Sequence, residues 1–124
     1  MERVTGIGGV FFRAGDPEAL QAWYVEHLGV PVLDGHVVFQ DANPTYVWAP
    51  FRADTDYWPV AKQGMVNFTV SDVEAMLAQL RDAGVEVDDA IQEMEGIGRF
   101  GWATDPEGNR FELWEPASSP TEAQ

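Results

Sequence analysis

The chain has 124 residues, 45% of them hydrophobic, and no cysteine, so it has the length of one domain and can hold neither a disulfide framework, a thiolate metal site nor a cysteine nucleophile. Seven Lys and Arg against 21 Asp and Glu give a formal charge of −14, which repels phosphate backbones and argues against a nucleic-acid partner. No stretch is long and apolar enough to predict a membrane helix, and the N-terminus lacks a signal pattern, so the expectation is a cytoplasmic protein.

In chain order, Ile7 to Ala14 reads as a strand with Val10, Phe12 and Ala14 on one face and Gly9, Phe11 and Arg13 on the other. Asp16-Pro17-Glu18 is a helix start, and the helix runs to Leu28, with Leu20, Trp23, Tyr24 and Leu28 as its core-facing stripe and Gly29 ending it. Val30 to Gln40 holds short strands broken at Asp34-Gly35. Asp41 to Pro44 is a turn, and Tyr46 to Ala49 is another strand. Phe51 to Gln63 has no period and reads as a connecting loop, with exposed Tyr57 and Trp58 suited to a lid or a dimer contact. Met65 to Val70 is again a strand. A helix capped by Ser71 or Asp72 follows to about Ala83, its apolar stripe Val73, Met76, Leu77 and Leu80. Short strands are predicted at 85–87 and 91–95, and Arg99 to Thr104 leads into a final hairpin.

That hairpin is D-P-E-G-N-R-F-E-L-W-E-P, Asp105 to Pro116. Pro106 presets the turn, and Gly108 and Asn109 tolerate left-handed backbone. Beyond the turn, Phe111 and Leu113 point one way, Glu112 and Trp114 the other. Glu112, an acid flanked by apolar residues, is the placement that most needs a reason.

The chain also repeats. At an offset of 56, Gly8, Val10, Phe12, Asp16, Glu18 and Ala19 meet identical residues at Gly64, Val66, Phe68, Asp72, Glu74 and Ala75. At an offset of 66, Trp48-Ala49-Pro50 meets Trp114-Glu115-Pro116. Each half reads as a βαβββ unit, 5–51 and 64–116, within a single domain of residues 1–124 that ends in a flexible tail, 117–124. The faces opposite the helices then line one aromatic cavity. Phe11, Tyr46, Trp48 and Trp114 are its walls; Arg13, Asn67, Thr69 and Glu112 are its polar points. Phe100 and Trp102 share parity, so both face this cavity or both pack beneath the sheet. Glu112 is a general base, an anchor for a cationic ligand, or a structural acid paired with Arg13.

The hairpin motif and the opening G-G-V-F-F-R-A-G-D-P…W-Y-V-E-H-L-G resemble the vicinal oxygen chelate superfamily, over about residues 5 to 116. Its members include glyoxalase I, extradiol dioxygenases and bleomycin- and fosfomycin-resistance proteins. The resemblance implies an α+β fold in which the paired modules form a cup-shaped, mostly antiparallel sheet with helices outside, and a homodimer. It places the family's metal-ligand positions at Gly9, Tyr46, Met65 and Glu112, of which only Glu112 is an ordinary carboxylate or imidazole ligand. His27 and His36 fall at a helix end and a turn, away from this set.

The leading expectation is therefore a metal- and cofactor-independent protein binding a small aromatic or cationic molecule. The alternative is a lyase, isomerase or dioxygenase-type enzyme using Glu112 as base or as one ligand of an unusual Zn, Ni, Mn or Fe site. A third reading is an interaction module, favoured by a closed cavity with an exposed Tyr57-Trp58 loop.

Overall fold

The computed structural model describes residues 1–40 and 46–117; the turn predicted at 41–44 and the tail 118–124 lie outside the described residues. The first half contains β1 (Val4–Ala14), α1 (Pro17–Leu28), β2 (Val32–Leu33), β3 (His36–Phe39) and β4 (Tyr46–Arg52). The second contains β5 (Gly64–Val70), α2 (Val73–Asp82), β6 (Glu86–Val87), β7 (Gln92–Met94), β8 (Gly98–Thr104) and β9 (Arg110–Pro116). This is the βαβββ plan written twice, with one extra short strand in the second copy. β1 starts three residues earlier than the alternation predicts, and β4 runs three residues further.

All nine strands belong to one sheet, ordered β2-β3-β4-β1-β5-β9-β8-β6, with β7 also paired to β8. The halves join at the centre, where β1 and β5 run antiparallel. Each first strand pairs in parallel with the last strand of its own half, β1 with β4 and β5 with β9, and the other pairings are antiparallel. The fold is thus α+β, two modules in a cup-shaped, mostly antiparallel open sheet with the helices on its outer face.

Both helices begin at the aspartate of the repeat. Asp16 accepts from the Ala19 amide at 3.1 Å and Asp72 from the Ala75 amide at 3.0 Å, so Asp72 rather than Ser71 is the second cap. Helix α2 packs its stripe down: Val73, Met76 and Leu77 are buried against Val70 and Leu113, with Phe68, Leu80 and Phe111 at the margin. Leu77 comes so close to β8 that a Cβ on Gly101 would lie 2.7 Å from its Cδ1, which is why a glycine interrupts that strand.

Helix α1 departs from its predicted stripe. None of its residues is fully buried among the described residues; Trp23 is 50% and Leu28 63% exposed. Its main packing is Tyr24 against Trp48, ring centroids 4.5 Å apart, with Phe12 on the indole's other side at 5.0 Å. Trp48 therefore belongs to the helix side of the sheet, not to the cavity.

The Asp105–Arg110 turn closes differently from its reading. Gly108 has φ +84°, but Asn109 keeps negative φ. Its amide N–H instead donates to Asp105 Oδ1 at 2.9 Å and its side chain bonds both carboxylate oxygens, which holds the Asp105 carboxyl below its ordinary range.

Candidate functional site

The site grows from one cross-strand pair. In the parallel β5–β9 ladder Asn67 stands beside Glu112, and in the antiparallel β8–β9 ladder Trp102 stands opposite Glu112. Period-two alternation turns all three away from α2, whose side of β9 takes Phe111 and Leu113. Glu112 is 3% and Asn67 2% exposed, so the carboxylate requires partners. It has three. Asn67 Nδ2 donates to Oε1 at 2.6 Å, Trp102 Nε1 donates to Oε2 at 2.9 Å, and the Tyr57 hydroxyl donates to Oε2. Burial and the adjacent Glu112 carboxylate push the Tyr57 phenol above its ordinary value of 10.0.

Tyr57 reaches the acid because Arg13 holds its loop. The predicted pairing of Arg13 with Glu112 does not form. The guanidinium donates to five backbone carbonyls instead, those of Ala53, Thr55, Trp58, Pro59 and Lys62, at 2.8–3.2 Å, and lies over the Trp58 ring. The loop turns its carbonyls inward where β1 ends, and a planar group with five N–H donors satisfies them at once. Arg110 supports the same loop from the far strand, over the rings of Tyr57 and Trp102 at 5.4 and 5.2 Å and paired with Asp88 at 2.5 Å. Trp58, expected exposed, is 2% exposed and packs with Met65 and Trp102. The segment is a strap that tucks Trp58 beneath it, while Val60 and most of its other residues stay exposed.

In front of Glu112 and Asn67 lies an open cavity of about 280 Å³. Phe11, Phe51 and Tyr57 form one wall and Phe100 and Trp114 another, while Met94 and Ile97 close it from the β7–β8 hairpin. Phe11 and Phe51 sit 5.3 Å apart; Phe100 and Trp114 stack at 6.0 Å with an interplanar angle of 5°. Phe100 and Trp102 thus both face the cavity side.

Of the predicted site residues, Phe11, Asn67, Glu112 and Trp114 line this cavity. Four do not. Arg13 holds the strap, and Trp48 packs under α1. Tyr46 is 37% exposed opposite Phe39, and Thr69 is buried with its hydroxyl on Thr5 at 2.9 Å. The Tyr46 and Trp48 placements fail for one reason, the alignment of the last strands. Arg13 pairs with Phe51 and its repeat mate Thr69 pairs with Trp114, so the last strands correspond at an offset of 63, not 66. The match of Trp48-Ala49-Pro50 to Trp114-Glu115-Pro116 shifts parity by one. In true register Phe51 answers Trp114 and Ala49 answers Glu112.

That register also decides the fit of a metal. The positions equivalent by strand pairing are Gly9, Ala49, Met65 and Glu112. Only one carries a hard ligand, and it accepts three protein hydrogen bonds. Met65 packs into the Trp58-Trp102 cluster. Among the described residues no three His, Cys, Asp or Glu gather anywhere, and His27 lies beside Trp23 on the outer helix, rings 4.8 Å apart. The donor set does not fit a Zn, Ni, Mn or Fe ion.

The structure is thus a paired-module cup whose hollow is largely apolar, with a few polar groups at its floor. The chain belongs to the Glyoxalase/Bleomycin resistance protein/Dioxygenase superfamily, whose model matches residues 6–113. A methylmalonyl-CoA epimerase from Mycobacterium tuberculosis superposes with TM-score 0.64 at 22% identity, covering 93% of this chain and 90% of that one. A Streptomyces coelicolor methylmalonyl-CoA epimerase in complex with 2-nitronate-propionyl-CoA gives TM-score 0.69 at 22% identity, over 94% and 100%. A Mn(II)-bound glyoxalase from Novosphingobium aromaticivorans gives 0.69 at 24%, over 94% of this chain and 41% of that one. At such identities the likeness is one of fold. No curated protein sequence matches the chain. Among the described residues no helix is long and apolar enough to cross a membrane.

Sequence reasoning missed Val47 and Phe51, did not single out Gly8, Gln92, Met94 or Ile97, and read Tyr57 as an exposed lid or dimer contact. The first two follow from the corrected offset. For Tyr57 the available signal was Arg13, a lone cation on a strand face with a long loop beyond the next strand to receive it.

Proposed function

We infer that this protein binds a small aromatic molecule in the cavity between its two modules, without a metal ion. The observation that carries this reading is the state of Glu112. Three of the four lone-pair sites of its carboxylate accept protein donors, Tyr57, Asn67 and Trp102, leaving it poorly placed to abstract a proton or to chelate a cation. The same saturation favours an aromatic ligand over a cationic one. The walls agree with it: two aromatic pairs lining about 280 Å³ suit a guest of one or two fused rings. Sequestration, in which holding the guest is the whole activity, needs nothing more than this.

The test is titration of the purified chain with one- and two-ring aromatics, read by tryptophan fluorescence, before and after dialysis against EDTA. Saturable binding that survives EDTA, and is weakened by Trp114→Ala, is the expected result. One tightly held divalent ion per chain by elemental analysis, or binding abolished by EDTA, overturns it.

A further inference from the structure

The cavity floor contains a polar atom with no partner. Asn67 is 2% exposed, its Nδ2 is committed to Glu112 at 2.6 Å, and its Oδ1 has no hydrogen-bond partner among the described residues. Turning the amide over does not remove the mismatch, because it would set Oδ1 against the Glu112 carboxylate and forfeit the only bond the side chain makes. The carboxylate thus fixes the amide's sense and so leaves Oδ1 bare.

Gly8 is what lets the β1 backbone lie against this oxygen. A Cβ there would lie 2.3 Å from Oδ1 and 2.8 Å from Trp114 Cε3. Gly8 sits where the β1–β5 register shifts, between Ile7 and Gly9, and with Asn67 it lines the cavity. A bulged glycine, an orphan acceptor and an indole edge together form a notch at the bottom of a largely apolar hollow, whose other polar liners are Tyr57, Gln92 and Glu112.

We propose that this notch selects, among small aromatics, those bearing an N–H or O–H on the ring system, with that donor placed on Asn67 Oδ1. The proposal rests on the reading of the cavity as an aromatic-binding site and adds the ligand's polar handle. A guest lacking the donor leaves a buried carbonyl unsatisfied; a guest with it completes the floor. Glu112 acts here as a positioning residue, holding the amide in the sense that presents oxygen to the guest.

Indole and benzofuran share a bicyclic frame and differ in having N–H or O at one ring position. The expected result is that indole binds the wild-type chain at least about tenfold more tightly by isothermal titration. In Asn67→Ala that ratio falls to about one. On the unmodified protein, the Asn67 side-chain amide resonances should move with indole and not with benzofuran, a readout that does not depend on the variant folding. Equal affinity of both compounds for the wild type, or an indole preference retained in Asn67→Ala, overturns the proposal and leaves the cavity reading standing. If neither compound binds saturably, both fall.

Discussion

Helices α1 and α2 start from the same capped aspartate of a duplicated sequence and end at opposite degrees of burial. In α2, Val73 and Leu77 are completely buried; in α1, Trp23 is half exposed and Leu28 63% exposed. The asymmetry extends to the site. The second half supplies the polar floor, Asn67 and Glu112, and the first supplies Gly8, Phe11, Val47 and Phe51, a wall without hydrogen-bonding side chains. Duplication fixed strand order, caps and the central antiparallel seam. It did not fix packing, because the stripe of α2 meets a glycine-thinned strand that lets it settle while α1 rests on a bulky Trp48.

The sharpest test is a matched truncation. Leu77→Ala should destabilise by about 3–4 kcal/mol in urea denaturation, since Leu77 sits in a closed core with no room to collapse. Leu28→Ala should change stability by less than about 0.5 kcal/mol, as an exposed side chain does. Equal costs would mean that α1 is covered in solution by something beyond the described residues.

Arg13→Met comes next, because it cuts the link by which the first half reaches the second. Removing the guanidinium takes a donor from five carbonyls of the 53–62 strap, of which those of Pro59 and Lys62 keep a second one, for an expected loss of about 2–3 kcal/mol. The strap should also release Tyr57, so tryptophan emission should shift as Trp58 gains solvent. A variant with wild-type stability and emission would show that the strap holds itself.

Tyr57→Phe has a smaller effect at neutral pH, about 1.5–2 kcal/mol, since Trp102 and Asn67 still donate to Glu112. Its pH dependence is distinctive. The folded phenol titrates above its ordinary 10.0, so above that value the unfolded chain releases a proton the folded chain retains. The stabilisation from this group is therefore intact below about pH 10 and declines as pH rises further toward the folded value. The Tm of the wild type should fall more steeply between about pH 10 and 12 than that of Tyr57→Phe; parallel curves would deny the shift.

The order of elements, the Asp16 cap, the α2 stripe and the outward parity of Glu112 with Trp114 were legible because each is set by nearest neighbours in the chain, whereas the second cap stayed open between Ser71 and Asp72. The first-half wall was not. Trp48-Ala49-Pro50 resembled Trp114-Glu115-Pro116 by composition, and only the β1–β4 ladder reveals that Phe51 is the true counterpart. With period two any odd slip, here the three residues between offsets 66 and 63, reverses every side chain, which turned Trp48 from cavity wall to helix platform. Arg13 was placed on the correct strand but given the wrong partner. Sequence shows charges and does not show where a loop will aim its carbonyls, so Glu112 appeared the natural partner. The three neutral donors that satisfy Glu112 come from β5, β8 and the strap, brought together only by the folded sheet.

The caps are where the halves should not differ. Asp16 and Asp72 each bond the amide three residues on, at 3.1 and 3.0 Å, and each precedes a first turn with one glutamate, Glu18 and Glu74. The interaction is local and its geometry is independent of what the helix later buries, so Asp16→Ala and Asp72→Ala should each cost about 1 kcal/mol. A difference would have to enter through folding cooperativity. If α1 frays without taking the sheet with it, its cap is removed from the global transition, and Asp16→Ala would register in amide exchange along 17–20 while leaving the denaturation midpoint unmoved. Equal shifts in midpoint would instead show that the thinly packed helix unfolds with the same unit as the buried one. In that case the contact of Tyr24 on Trp48 is sufficient to make α1 unfold together with the sheet it rests on.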